Sequence, residues 1–236
     1  MKEKEKNYLK EYDSSKFEKP SLTADVMLLA LDSLSVTTPR LMVLLVKRLE
    51  EPYKGEWALP GSFVGIDETI DGAARRVLEQ KVGITKKTNV YMEQLYTFGS
   101  IDRDPRMRII STSYIAMIST MFKVKNDNMM WVDLHDFIGG KTSFNLAFDH
   151  KEVLETGINR LMGKVNYTQV AFGLIDKRFT LLEAQKAYEA ILNEKLHKSN
   201  FRRDVKELTD ETDDVRVGGR GPTAKLFILK KGKVLN

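Results

Sequence analysis

The stretch Leu59–Ile84, LPGSFVGIDETIDGAARRVLEQKVGI, constrains this chain more than any other. A Pro-Gly turn opens it, the apolar pair Phe63 and Val64 follows, and Gly65 leads into a helical run. Ile70, Ala73, Ala74, Val77 and Leu78 recur at helical spacing and form one apolar face, so the helix must bury that face against something. Gly83 stands where such a helix stops, and Ile84 begins the next extended segment. The partner surface is supplied by short, continuous apolar runs. Val26–Leu31 (VMLLAL) and Leu41–Val46 (LMVLLV), each bounded by polar turns, have the character of strands buried on both faces. Val90–Phe98 and Arg108–Ile118 extend the set, and Trp131–Phe137 begins a last section with a short helix expected near Leu146–His150. Strands around one amphipathic helix predict an α/β (α+β) sandwich with a mixed sheet.

The same stretch resembles the Nudix box, a loop–helix–loop written G-x5-E-x7-R-E-U-x-E-E-x-G-U, with U aliphatic. Setting Gly83 and Ile84 on the final G-U places Glu68 on the first Glu, Arg76 on the Arg and Leu78 on the first U. Ser62 replaces the first Gly, Val77 the Glu after the Arg, and Gln80 and Lys81 the Glu pair. The resemblance implies a fold that splits nucleoside diphosphates linked to another group, with Mg²⁺ or Mn²⁺ held by carboxylates. If the chain is an active Nudix pyrophosphohydrolase, Glu68 and Glu79 are its surviving acids, with Glu68 the one candidate metal ligand. Glu68 and Glu79 lie eleven positions apart and need not converge, and Glu79 with Gln80 also reads as an ordinary solvated helix face. A lysine at 81 repels a divalent ion where the box places a carboxylate. Ligand binding without required metal is therefore the leading expectation, with hydrolysis kept as the alternative.

Beyond residue 150 the pattern changes. Lys151–Met162 reads as a helix with Leu154, Ile158 and Leu161 on one face, and Tyr167–Leu174 is apolar enough for a short helix. Thr180 with Glu183 is a capping-box start for a helix to Leu192. Ser199 or Asn200 is placed to cap the next helix, which buries Phe201, Val205 and Leu208. Asp213–Val217 and Lys225–Leu229 read as two strands around the turn GGRGPTA. Three helices followed by a β-hairpin make a winged helix-turn-helix. The apolar stripe leaves Ser199, Asn200, Arg202, Arg203 and Lys206 to face double-stranded DNA, together with Tyr167 and the wing residues Arg216 and Arg220. A protein-binding winged helix is the other reading, in which Arg203 simply pairs with Glu207. The chain's net charge of +5 lies wholly in residues 151–236, which favours a polyanion as the partner of that part.

With both parts located, the whole chain resembles the Nudix-related transcriptional regulators of NAD metabolism, the NrtR type. The carriers are GEWALPGSFVGIDET, TFGSIDRDPRMRIISTSYIAMI, NLAFDH, NYTQVAFGLIDKRFTLLEAQKAYEAIL, SNFRRDV and GGRGPTA. The resemblance implies a Nudix domain that senses ADP-ribose or a related nucleotide or sugar, joined to a DNA-binding winged helix, in a repressor whose homodimers meet palindromic operators. It places Arg103, Asp104, Arg106 and Arg108 beside the ligand pocket, where guanidinium groups suit a diphosphate. Phe98 and Tyr96 are candidate stacking rings. His150 and His197 read as polar contacts at helix ends. The expected organisation is an N-terminal arm (1–20), a Nudix domain (21–150) and a winged helix domain (151–236). With no Cys, disulfides and thiolate metal sites are excluded. The charged N-terminus lacks a signal-peptide core and no apolar run reaches the ~18 residues of a membrane span, so a cytoplasmic protein away from membranes is expected.

Overall fold

The structure is a computed structural model, and it describes residues 2–32, 38–124, 126–216 and 223–230. A seven-stranded mixed sheet forms the centre, in the order β3 (Trp57–Ala58), β2 (Leu41–Lys47), β1 (Ser21–Leu31), β6 (Ile109–Ile118), β5 (Val90–Phe98). Two more strands join beside this path: β4 (Gly61–Phe63) pairs with β1, and β7 (Met129–Asp133) pairs with β2. The β1–β6 pair is parallel and the other pairs are antiparallel.

Strand β1 shows why its sequence is apolar without alternation. Met27, Leu29 and Leu31 point into one core, whereas Val26, Leu28 and Ala30 point into another on the opposite face. The even face is covered by helix α2 (Ile70–Val77) through Ala73, Ala74 and Val77, and by Leu78 just after it. The odd face is covered by α3 (Leu134–Ile138) and α4 (His150–Val165), the latter through Val153, Leu154, Ile158 and Leu161. Gly157 of α4 lies so close to the sheet that a Cβ there would come within 2.3 Å of Met27 Sδ. The expected amphipathic helix and its buried strands thus meet as an α/β sandwich.

Several boundaries differ from expectation. Strand β1 starts at Ser21, because its polar first residues pair with β6 from Ser21↔Ile109 onward. Helix α2 widens into one π turn at Leu78–Val82, closed by Gly83 in the left-handed conformation with φ 82°. No short helix forms at Leu146–His150. Leu146 instead bridges Trp57, Ala147 N–H donates to the Trp57 carbonyl at 2.8 Å, and α4 begins at His150. The N-terminal residues form helix α1 (Glu3–Glu11) and a 3₁₀ turn at Ser14–Lys16, neither with a buried residue.

The C-terminal part follows α4 with a 3₁₀ turn (Val170–Leu174), α5 (Leu181–Leu192), α6 (Lys198–Leu208) and the hairpin β8 (Thr209–Arg216) with β9 (Ala224–Leu229). The capping box is formed: Thr180 Oγ1 accepts from Glu183 N–H, and Glu183 accepts from Thr180 N–H. Helix α6 starts one residue before the expected caps. His197 is its N-cap and gives no side-chain bond, so Ser199 and Asn200 lie inside the first turn. Phe201, Val205 and Leu208 are buried with Tyr188, Phe172 and Phe179, and Phe179 exchanges two backbone hydrogen bonds with Phe227 of β9. Helices and hairpin make a winged helix, whose core runs without a break through α4 into the odd face of the sheet.

Candidate functional site

Strand β4 and the turn before it form the floor of the site. Gly61 pairs with Asp25 of β1, and a Cβ at 61 would fall 1.9 Å from Asp25 Oδ1, so only glycine fits. The box acid Glu68 is already occupied. Its Oε1 accepts from Gly65 N–H at 2.7 Å and from Arg76 Nη2 at 2.5 Å, and its Oε2 accepts from Arg76 Nε at 3.0 Å. The Arg76 hydrogen bond, with help from the Gly65 N–H, holds the Glu68 carboxyl down to about 2. Arg76 also donates to Ser62 Oγ and the Phe63 carbonyl, sewing the loop to the helix. Glu79 and Gln80 point to solvent. The Lys81 ammonium donates to the Gly61 carbonyl.

This donor set does not fit a divalent metal. One carboxylate is tied to an arginine, a neutral amide stands at 80, and a cation sits on the carbonyl nearest the box. Among the described residues no group of three or more His, Asp or Glu is placed to hold a metal ion.

A buried ion network lies directly behind β4. Arg103 donates to Asp149 through Nε (2.8 Å) and Nη2 (2.7 Å), and Nη2 lies 3.5 Å from Asp25 Oδ2. Ser111 Oγ also donates to Asp25, and His150 Nε2 is 3.8 Å from the same carboxylate. His150 Nδ1 accepts from Leu59 N–H at 2.9 Å, which leaves Nε2 to face Asp25. Burial pushes the Asp25 carboxyl up, but His150, Ser111 and Arg103 together hold it below the ordinary value. Burial likewise disfavours a charged Arg103, and Asp149 with Asp25 overrules it.

In front of β4 the surface combines rings and cations. The Arg48 guanidinium sits 4.6 Å from the Phe148 ring centre, and Arg106 lies 5.9 Å from the same ring and 5.5 Å from that of Phe63. Tyr53 packs edge-on against Phe148 at 4.9 Å. Burial, then the neighbouring Arg106 charge, lowers the Arg48 pKa. Lys81 is solvent-exposed but crowded by protein, and desolvation lowers its pKa, with Asp25 opposing and Arg48 and Arg76 adding to the fall. Cations gathered beside exposed rings make a surface suited to an anion with a flat group attached.

The expected ligand residues divide within this geometry. Arg106 faces the cleft, with Asp104 holding its guanidinium by two bonds of 2.9 and 2.7 Å. Arg108 is exposed and donates to the Ser100 carbonyl at 2.8 Å. Arg103 turns into the protein and fastens its loop to the start of α4. Phe98 is buried in the core, and the exposed ring of the pair is Tyr96, 5.4 Å away. Lys81, Arg48, Tyr53, Phe63 and Phe148 were not singled out as ligand-facing from the sequence. The only local signal was the charged loop Lys47–Glu56 leading to the box.

On the winged helix, Ser199, Asn200, Arg202, Arg203 and Lys206 are all exposed on α6, outside its buried stripe. Arg203 pairs with adjacent Asp204 at 2.9 Å rather than with Glu207. Tyr167 is exposed at the end of α4. Arg216 is held by Glu183 and by the Arg178 carbonyl, which fixes it to the start of α5. Arg220 and most of the Gly-rich turn lie outside the described residues.

Two family models match, the NUDIX domain over residues 29–157 and the NrtR DNA-binding winged helix domain over residues 171–229. The chain is 34% identical over 233 residues to the ADPR responsive transcriptional repressor NtrR of Acinetobacter baylyi, covering 94% of this chain and 87% of that one. This chain belongs to the NrtR family. The crystal structure of Shewanella oneidensis NrtR complexed with a 27mer DNA superposes with a TM-score of 0.72 at 30% identity, covering 89% of this chain and 93% of that one. The NUDIX domain of the same Shewanella protein, complexed with ADP ribose, superposes with a TM-score of 0.54 at 32% identity, covering 68% of this chain and 99% of that one. As an NrtR-family chain it thus carries a Nudix fold with a mixed sheet and a C-terminal winged helix. Among the described residues no helix is long and apolar enough to cross a membrane.

Proposed function

We propose that this chain is a cytoplasmic transcriptional repressor that binds operator DNA through its winged helix and ADP-ribose, or a closely related nucleotide, in its Nudix cleft. The observation that carries the reading is the pairing, on one chain, of cations and exposed rings beside a Nudix box whose acid Glu68 is tied to Arg76, with an exposed basic helix in the winged helix domain. Relatives that respond to ADP-ribose or were crystallised with DNA support it. Arg106 and Lys81 face the diphosphate, Phe63, Tyr53 and Phe148 offer rings to the nucleoside, and Asn200, Arg202, Arg203 and Lys206 face the duplex. A homodimer meeting a palindromic operator is the expected assembly, since two-fold symmetry doubles one half-site contact. The test is fluorescence anisotropy with labelled duplexes from the chain's own promoter region, titrated with ADP-ribose. Specific binding that ADP-ribose weakens supports the proposal. Equal affinity for promoter and scrambled duplexes, unaffected by ADP-ribose, refutes it.

A further inference from the structure

Around the cleft, most charges are already paired. Glu68 is matched by Arg76, Asp104 by Arg106, and Asp25 by Arg103 and Ser111. Among the described residues, Arg48 and Lys81 have no carboxylate within ion-pair distance. Arg48 uses its donors on the Pro52 and Glu50 carbonyls while its face covers Phe148. Lys81 is different, because an ammonium has three donor hydrogens and only one is directed at Gly61. Its position is also set by the box, where the helix widens into the π turn Leu78–Val82 and throws residue 81 toward β4. The chain therefore places a positive charge on a backbone carbonyl, crowded by protein, with the Arg48 and Arg76 charges set against the Asp25 and Glu50 carboxylates.

We infer that Lys81 is the resident cation of the ligand cleft, pairing with the diphosphate in the role a divalent metal would otherwise fill, so that binding requires no metal. The inference rests on the cleft being the nucleotide site proposed above. A lysine is well suited to this task, since a compact point charge meets a phosphate oxygen from any direction. The neutral amide at Gln80 and the occupied Glu68 leave no acid at the matched box positions free to hold a competing divalent ion.

The experiment is isothermal titration calorimetry on the full chain with three probes, ADP-ribose, inorganic pyrophosphate and adenosine, each in EDTA and in excess Mg²⁺. Wild type is expected to bind ADP-ribose and pyrophosphate in EDTA. K81M is expected to lose roughly 10- to 100-fold in affinity for both phosphate probes, the range of one hydrogen-bonded charge contact. K81R is expected to recover most of that loss, and adenosine binding should be unchanged by either substitution. Unaltered DNA binding by K81M serves as the folding control, with K81R as the second variant if K81M is unstable. The inference is overturned if wild type binds the phosphate probes only with Mg²⁺, or if K81M binds them as wild type does. Metal-free, Lys81-dependent binding of pyrophosphate with no binding of ADP-ribose would keep the resident cation and remove ADP-ribose as effector. Binding of ADP-ribose only with Mg²⁺ would do the reverse.

Discussion

Arg103→Met tests whether the buried ion network, rather than the cleft, is what this arginine serves. The Arg103 side chain is 4% exposed, between Asp149 at 12% and Asp25 at 9%. Methionine fills much of the same volume, so the change is mainly electrostatic. It leaves two carboxylates deep in the protein with no cation, the situation in which removing one partner of a buried pair costs about 3–5 kcal/mol. For a chain of this size about 1 kcal/mol shifts Tm by roughly 2–4 °C, so a fall of roughly 6–20 °C is expected at pH 7. The pH dependence has a definite sign. In wild type the Asp25 carboxyl is held below 3.8, so its contribution is present above about pH 4 and lost on acidification. In the variant the Arg103 charge no longer offsets burial, so the Asp25 carboxyl moves up from its wild-type position while His150 and Ser111 still hold it, and acid relieves part of the cost. The gap between the two proteins should therefore narrow in acid, as pH falls through about 4, as read by thermal denaturation followed by circular dichroism. A variant within 1 °C of wild type at pH 7, or a gap that widens in acid, would refute the reasoning.

Three further outcomes follow from named contacts. Glu68→Gln should lower Tm at pH 7, with the difference shrinking as pH falls below 4.5 toward about 2, where wild-type Glu68 itself protonates; a pH series of melting curves reads this. Gly61→Ala drives a methyl group into Asp25 Oδ1 and should destabilise the fold by about 1–3 kcal/mol in urea unfolding. Arg202→Ala and Lys206→Ala, each exposed on α6, should weaken duplex binding. A phosphate contact would lower the slope of log affinity against log salt by about 1 per substitution, whereas a base contact would relax sequence preference instead.

What the sequence made legible was local. The apolar face of α2, the Thr180–Glu183 capping box and the Phe201–Val205–Leu208 stripe each depend on spacing within one or two turns, and each formed as expected. What was not legible depends on strands meeting. Tyr96 and Phe98 have the same parity, so simple alternation puts both rings on one face of β5. They do share that face, with ring centres 5.4 Å apart, but Phe98 is covered by the core and Tyr96 is left exposed. The register shift between Gln94 and Tyr96 lets Leu95, of the other parity, join the same core. Arg103 reads as a pocket cation because a string of alternating charges shows no depth. Only tertiary folding brings Asp25 from β1 and Asp149 from the start of α4 to opposite sides of it. The cluster of Arg48, Phe63 and Phe148 is hidden in the sequence for the same reason, since its members come from three separate segments.

That same assembly bears on why a nucleotide cleft and a winged helix share a chain. Helix α4 is no free linker, because Val153, Leu154, Ile158 and Leu161 are buried in the core that also holds Tyr188 and Phe201 of the winged helix. Its first residue, His150, is bonded to Leu59 N–H, two residues before the Gly61 that receives Lys81. Asp149, the residue before it, holds Arg103, and Ala147 is bonded to Trp57. The segment 57–63 thus lines the cleft with one end and grips the start of α4 with the other. A ligand alters DNA binding only by favouring one arrangement of the chain over another. In a close-packed interior, a shift of β4 is absorbed in its pairing with β1, in its Arg76 contacts or at the Leu59–His150 contact, or is passed on to α4. Gly157 seated on Met27 leaves α4 little room to absorb it by sinking toward the sheet, so a movement along or away from the sheet is the one the packing allows.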